Sequence, residues 1–320
     1  MTDILYIVVP CYNEEEVLPE TARRLQEKMS ALIKKEMVSP KSRVLFVDDG
    51  SKDSTWEKIA ALHEQNPLFS GLKLSHNRGH QNALIAGLMT AREPADIVIS
   101  MDADLQDDIE AVDQFLLEYQ GGSDIVYGVR SSRTKDTLFK RSTAVGYYKL
   151  LRALGVEIVE NHADYRLMSK RALNALSEFH EVNLFLRGIV PLIGFRTSVV
   201  KYERNERFAG ESKYPLKKML AFAIDGVTSF SVKPIRLITW LGVTIFCLSV
   251  LSLAWILADK LLGRTVSGWA TLMGSIWALG GIQLLCLGIL GEYISKIYQE
   301  TKQRPRFLID CCLDDREIQL

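Results

Sequence analysis

Two long stretches of this chain carry no charge. Leu237–Ala258 (LITWLGVTIFCLSVLSLAWILA) runs for 22 residues and Thr265–Gly291 (TVSGWATLMGSIWALGGIQLLCLGILG) for 27. At a helical rise of about 1.5 Å per residue they reach roughly 33 and 40 Å, enough to cross a hydrocarbon core of about 30 Å. The alternative is a pair of buried helices in a water-soluble domain. Soluble helices of that length normally keep a polar face, and these keep none. Two transmembrane helices, about 237–258 and 267–291, are therefore expected within a 235–291 unit, joined into a hairpin by the turn Asp259–Arg264. Lys213, Lys217, Lys218, Lys233 and Arg236 precede the pair, and Lys296, Lys302, Arg304 and Arg306 follow it. By the positive-inside rule both chain ends then face the cytosol, including a C-terminal tail of residues 292–320, and the hairpin tip lies on the far side. A multi-pass protein of the cell membrane is the expectation.

The rest of the 320 residues suffices for one catalytic domain, expected over residues 1–213. Lys+Arg and Asp+Glu both number 39, so there is no net charge to grip nucleic acid along the whole chain. Five cysteines form no CxxC and no zinc spacing, which predicts reduced thiols. The apolar run Leu5–Val9 is too short for a signal peptide. His63, His76, His80, His162 and His180 are too dispersed for zinc and read as surface or core residues.

Residues 1–130 alternate short β-branched runs with helical stretches. Strands are expected at Leu5–Val9, Val44–Val47, Leu72–Leu74, Ile97–Ser100 and Ile125–Tyr127. Asp53-Ser54 can cap a helix reaching about Gln65, and Asp108 precedes one reaching about Gln120. Such alternation predicts an α/β domain with a mainly parallel, Rossmann-like sheet, which binds ligands at the carboxyl ends of its strands.

Those ends hold the unusual residues: Pro10-Cys11-Tyr12-Asn13-Glu14-Glu15, Asp48-Asp49-Gly50-Ser51, Asn77-Arg78-Gly79-His80-Gln81, and Asp102-Ala103-Asp104-Leu105-Gln106-Asp107-Asp108. Carboxylates gathered without matching cations call for a hard divalent ion, Mg²⁺ or Mn²⁺, held jointly by one or two carboxylates and substrate phosphates. A DxD occurs by chance in many chains; its place between IVIS and a helix gives it meaning. Asp107 and Asp108 read equally well as helix caps. The EF-hand glycine and glutamate, the GxGxxG fingerprint and the P-loop are all absent.

The segments PCYNEEE, VDDGSKDST, NRGHQNALIAGL and DADLQDD resemble the successive signatures of family 2 inverting glycosyltransferases with the GT-A fold. The likeness continues through GVRSSR, ADYRLMSKRAL, NLFLRGI and RFAGESKYPLKKM. The ending GEYISKIYQETKQRP is similar to the polyprenyl-phosphate (bactoprenol) glycosyltransferases related to dolichol-phosphate mannose synthase. It covers Tyr6 to about Pro305, and the QxxRW of processive synthases is absent. The resemblance implies that Pro10, Tyr12, Asn13, Glu14, Asp49 and Asn77 meet the nucleotide and that Asp102, Asp104 and Gln106 hold the divalent ion. It implies Arg130, Lys140 or Arg141, Arg207 and Lys213 for the phosphates of donor and acceptor, with Arg166 and Ser212 in the substrate set. Asp164 takes the place of the catalytic carboxylate, with Arg130 and Arg207 as its catalytic companions. Arg78 departs from the aromatic residue that the family often has there.

The implied reaction moves one sugar from a nucleotide-sugar donor, a UDP-sugar with glucose favoured, to undecaprenyl or another polyprenyl phosphate. A lipid phosphate is already anionic, so Asp164 is expected either to orient the acceptor or to act as base. Residues 214–234 carry Leu216, Met219, Leu220, Ala223, Ile224, Val227 and Phe230 at helical spacing. An amphipathic interface helix is expected there, with packing on the domain core as its alternative. A lipid or glycan hydroxyl as acceptor, and a non-catalytic membrane scaffold, are the competing functions. Family analogy points to a homo-oligomer such as a tetramer.

Overall fold

A computed structural model describes residues 2–131, 162–181, 186–203, 233–261 and 268–314. Lys140, Arg141, Arg207, Ser212, Lys213, nearly all of the expected interface helix and the hairpin tip lie outside the described residues. The chain divides into two compact units, one of residues 1–148, 157–214 and 304–320, the other of 149–156 and 215–303.

The first unit is a mixed α/β domain around an eight-stranded sheet. Its elements in chain order are β1 (Leu5–Cys11), α1 (Leu18–Lys34), β2 (Arg43–Asp48), α2 (Thr55–Gln65), β3 (Phe69–Leu74), α3 (His80–Arg92), β4 (Ile97–Ser100), α4 (Ala111–Gln120) and β5 (Ile125–Arg130). They continue with β6 (His162–Ser169), α5 (Lys170–Ser177), α6 (Leu186–Leu192), β7 (Thr197–Tyr202) and β8 (Ile309–Leu313). The spatial order is β7-β5-β6-β4-β1-β2-β3-β8. β1 pairs in parallel with β2 and β4, β2 with β3, and β5 with β7. β6 runs antiparallel to both β4 and β5, and β8 antiparallel to β3.

The five expected strands are all present, several of them longer than their apolar runs. β1 is buried along its whole length, as a central strand covered on both faces must be. On α1, Leu18, Ala22, Leu25, Met29 and Leu32 recur every three or four residues and join the core. Lys28 on that buried face is neutralised by Glu110 at 2.7 Å and Asp113 at 3.2 Å. α3 sits unusually close to the sheet: a Cβ on Gly87 would come within 2.4 Å of Val8 Cγ1 and 2.6 Å of Val47 Cγ2. That close approach fixes where the first residue of α3, His80, stands.

The second unit holds α7 (Lys233–Leu261) and α8 (Trp269–Lys302). α8 runs past the expected end at Gly291 to Lys302 before Gln303 closes it in a left-handed conformation. Among the described residues one stretch, Ala278–Lys302, is long and apolar enough to cross a membrane, and Ile235–Ile245 is a shorter apolar helix. The stretch expected as a plain C-terminal tail contains the end of α8 and the edge strand β8.

Candidate active site

The loops after β1 and β2 are stitched together. Asn13 donates its backbone N–H to Ser51 Oγ (3.0 Å), and its Oδ1 accepts from the Lys52 N–H (2.9 Å). Glu14 donates its N–H to Thr55 Oγ1 (2.9 Å). Glu15 Oε2 accepts from the Ser54 N–H (3.1 Å) and hydroxyl (2.5 Å). Gly50 turns with φ 66°, and a Cβ there would strike Asn77 N at 2.6 Å, so only glycine lets the loop after β2 touch the loop after β3. A cleft of about 410 Å³ opens beside Asn13, Glu14 and Lys52, and another of about 510 Å³ beside Ser51, Asn77 and Asp310. Tyr12 is 40% exposed at the rim of these loops, whereas Pro10 is buried within β1.

Asp49 is buried, and its carboxylate accepts the backbone N–H groups of Arg78 (2.7 Å) and Gly79 (2.9 Å). It therefore locks the loop that leads into α3. Burial pushes its pKa up, against the pull of those two N–H donors.

The central cluster arises from strand register. β4 and β6 pair Ser100 with Arg166, and Asp102, two residues past the end of β4, shares the partner His80 with Asp164 of β6. The two carboxylates meet at one imidazole although they are 62 positions apart in the sequence. Ser100 Oγ donates to the Asp164 carbonyl oxygen (2.5 Å). Arg166 Nη2 lies 2.5 Å from Asp164 Oδ1, and Arg187 Nη2, on α6, lies 3.3 Å from Oδ2. His80 Nε2 stands 3.6 Å from Asp164 Oδ2 and 3.6 Å from Asp102 Oδ1. α6 is tied to the start of α3 because Leu186 donates its N–H to Gln81 Oε1 (3.0 Å).

Burial would raise the Asp164 pKa, but Arg187, His80 and Arg166 outweigh it and hold the carboxyl well below its usual range. A carboxylate so stabilised is a weak proton acceptor and a strong electrostatic anchor. Burial likewise lowers His80, and Asp164 and Asp102 more than reverse that. Asp102 is pushed up, first by burial and then by Asp164 and Asp104, with His80 opposing. It carries negative charge beside Asp104 and Asp164 on a side chain that is still 36% exposed, an arrangement that a divalent cation would relieve and could reach. Asp104 Oδ1 accepts from the Gln106 N–H (3.2 Å), and Leu105 between them is left-handed at φ 57°. A bulky residue in that conformation marks a loop held in shape by its surroundings. The described residues contain no ready cluster of three or more metal-ligating side chains. A donor set of one or two carboxylates completed by phosphate oxygens fits that arrangement.

Arg130 ends β5. Its Nε donates to the Tyr202 hydroxyl (3.4 Å), and the Tyr202 O–H donates to Asp107 Oδ1 (2.5 Å). Asp107 is buried and does not cap α4; its pKa is pushed up to about 6, by burial first and Asp102 second. Asp108 does serve the turn before α4, accepting from the Glu110 N–H (3.0 Å). Arg166 is 1% exposed and committed to Asp164, so within this cluster it secures that carboxylate. Arg187 and Tyr202 join this cluster without having been singled out in the sequence, whereas Asp107 read equally well as a gathered carboxylate or a helix cap and His80 as a surface or core residue. For His80 a signal existed, since it opens a helix directly after a strand end; for Arg187 only the NLFLRGI likeness hinted at a role.

Residues 6–177 match the family described as Glycosyl transferase family 2, and residues 233–297 match the GtrB C-terminal hairpin. The uncharacterized glycosyltransferase YkoT of Bacillus subtilis (strain 168) is 54% identical over 315 residues, covering 98% of this chain and 94% of its own. The bactoprenol glucosyl transferase of Shigella phage SfX is 40% identical over 308 residues, covering 95% and 97%. Among solved structures, mannosyl-3-phosphoglycerate synthase from Rubrobacter xylanophilus aligns over 75% of each chain at 16% identity with a TM-score of 0.48. By the family match and the extent of the likeness to these relatives, the chain belongs to glycosyl transferase family 2, among those members that carry a GtrB C-terminal hairpin.

Proposed function

We propose that this protein transfers a single sugar, with inversion, from a nucleotide-sugar donor to a polyprenyl phosphate at the cytosolic face of the cell membrane. A UDP-sugar is the expected donor, with glucose favoured by the relative named bactoprenol glucosyl transferase. The observation that carries the reading is the juxtaposition of Asp102 with an Asp164 kept ionised by Arg166, Arg187 and His80. Asp102, Asp104 and Gln106 would hold Mg²⁺ or Mn²⁺, which when bound neutralises the leaving diphosphate. Pro10, Tyr12, Asn13, Glu14, Asp49 and Asn77 would form or frame the nucleotide site. Arg130, with Lys140, Arg141, Arg207, Ser212 and Lys213, would gather phosphate oxygens, arginine through its planar fork.

The state of Asp164 favours this acceptor over a hydroxyl. A sugar or glycerol hydroxyl needs a base near neutral pKa, and Asp164 is held far below that. A lipid phosphate attacks as an anion, so orientation is enough.

Membrane attachment is supported by side chains that have no aqueous purpose. Trp240 and Trp255 are each 71% exposed on α7 and Leu284 is 72% exposed on α8, surfaces that water does not cover favourably. Two crossings fit the chain's path. β8, which follows α8, pairs with β3 in the same sheet that precedes α7, so the chain returns to the side it left. A homo-oligomer built through the spans is part of the reading.

The test is transfer of radiolabel from a donor panel led by UDP-glucose, using purified protein in nanodiscs with undecaprenyl phosphate. Labelled polyprenyl-phosphate sugar is expected. Label appearing only on diacylglycerol or polysaccharide would replace this reading with the hydroxyl-acceptor one, and no transfer from any donor would favour the scaffold.

A further inference from the structure

Tyr202 is the last residue of β7 and Arg130 the last of β5, and the two strands pair in parallel with Arg130 beside Tyr202. The Ser131 N–H donates to the Tyr202 carbonyl (2.9 Å), continuing the ladder one step past the strand end. Tyr202 is 3% exposed, and its ring meets Tyr165 edge-on at 5.3 Å. Tyr165 in turn packs on Phe115 at 4.6 Å. The phenol is thus fixed by an aromatic stack. Its hydroxyl is fixed again by Asp107, 1% exposed, which sits in the loop that carries Asp102 and Asp104.

The hydroxyl gives its one proton to Asp107, so its oxygen is left to accept, and Arg130 Nε is the donor facing it (3.4 Å). Arg130 Nη2 lies 3.9 Å from the same Asp107 oxygen. With Nε engaged on Tyr202, the Nη1–Nη2 edge is the one a phosphate would meet, and the side chain is 28% exposed. A chain of bonds running from guanidinium to phenol to buried carboxylate polarises each member and removes rotamer freedom from a long cation.

We propose that Tyr202, anchored by Asp107, is a positioning residue that presents Arg130 to a phosphate group of the substrates. The proposal rests on the reading of Arg130 as a phosphate-binding cation, and the shared ligand chemistry is a phosphate monoanion or dianion of donor or acceptor. Asp107 would thereby link the loop of the metal carboxylates to the cation opposite them.

The experiment is steady-state kinetics of the full-length enzyme in nanodiscs, with both KM values measured for Tyr202→Phe, Arg130→Ala, the double variant, Asp107→Asn and Asp107→Leu. Arg130→Ala should raise one KM, and which one identifies the phosphate as donor or acceptor. Tyr202→Phe keeps the ring stack and should raise that same KM roughly tenfold, with kcat and the other KM within about twofold. In the double variant the Tyr202 effect should vanish, because both changes remove one interaction. Asp107→Asn keeps an acceptor oxygen for the hydroxyl and should be milder than Asp107→Leu. An additive double variant, or a fall in kcat with both KM values unchanged in Tyr202→Phe, would overturn the positioning role. No change of either KM in Arg130→Ala would instead remove the phosphate reading itself, and the proposal with it.

Discussion

Burial alone would drive Asp164 toward its neutral form, and Arg166, 1% exposed, would lose its hydration with nothing in exchange. Arg166 is stable there because of Asp164, and Asp164 because of Arg187, His80 and Arg166 together. Removing one partner strands a charge, so Arg166→Met is expected to destabilise the protein by about 3–5 kcal/mol, read from denaturation of the detergent-solubilised enzyme. A loss under about 1 kcal/mol would mean that Arg187 and His80 hold Asp164 unaided. The depressed pKa of Asp164 makes its contribution present above the unfolded carboxylate range and lost only as pH falls below it. Asp107 has the opposite sign. Its folded pKa is raised to about 6, so the fold favours its protonated form, and that contribution is present below about pH 4 and lost as pH rises to about 6. Its size is on the order of 2–3 kcal/mol. In the presence of a chelator, the wild type should therefore lose stability across that window relative to Asp107→Asn, measured as the difference of the two melting curves against pH. Parallel curves would contradict the shift. Asp102 and Asp104 were legible as chemistry because carboxylates at a strand end stand out in one dimension, whereas Asp164 was reached only through the family resemblance. His80 and Arg187 were not legible, since no spacing reveals that the first residue of α3 and the second of α6 converge on β6.

The strands up to β5 follow from the sequence because each contains a short apolar run that is buried over most of its length. β6 escaped notice for a physical reason. HADYRLMS breaks its apolar run with Asp164 and Arg166, whose burial depends on each other and on β4, not on local pattern. β8 escaped because IDCCL is five residues long and its pairing to β3 spans more than two hundred positions. α3 illustrates how an element's packing serves the site. Gly87 lets it lie against Val8 and Val47, and its N-terminal residue then reaches Asp102 and Asp164. Gly87→Ala should force α3 outward, costing about 1–3 kcal/mol by the overpacking it creates. Because His80 moves with the helix, kcat should fall further than the lost stability explains. Activity measured well below the variant's melting temperature checks this, and wild-type kcat there would uncouple α3 seating from the site.

At the scale of the whole chain, the apolar unit is an excursion from one continuous sheet. The polypeptide leaves after β7, forms α7 and α8, and comes back to lay β8 on the exposed edge of β3. The return is more than a strand. The Ser75 N–H donates to Leu308 O (2.9 Å), and Asp314 Oδ2 accepts from the Tyr6 hydroxyl (3.2 Å) and from Ser70 Oγ (3.1 Å), reaching into the centre of the domain. Arg306 also donates to the Phe179 carbonyl (2.6 Å). On the reading of two crossings, a segment tied this way to β1 and β3 brings the chain back to the sheet it left. It also shields an edge that would otherwise offer unpaired N–H and C=O groups to other chains. Ending the chain after Gln303 should therefore leave α8 able to insert but should lower the melting temperature of the catalytic domain and promote aggregation at micromolar concentration. Both effects should be relieved by supplying residues 304–320 as a separate peptide, which repairs the edge without restoring the covalent link. If the truncated protein melts and sediments as the full-length one does, β8 is dispensable to the domain, and the two-crossing topology loses the support that the sheet lends it.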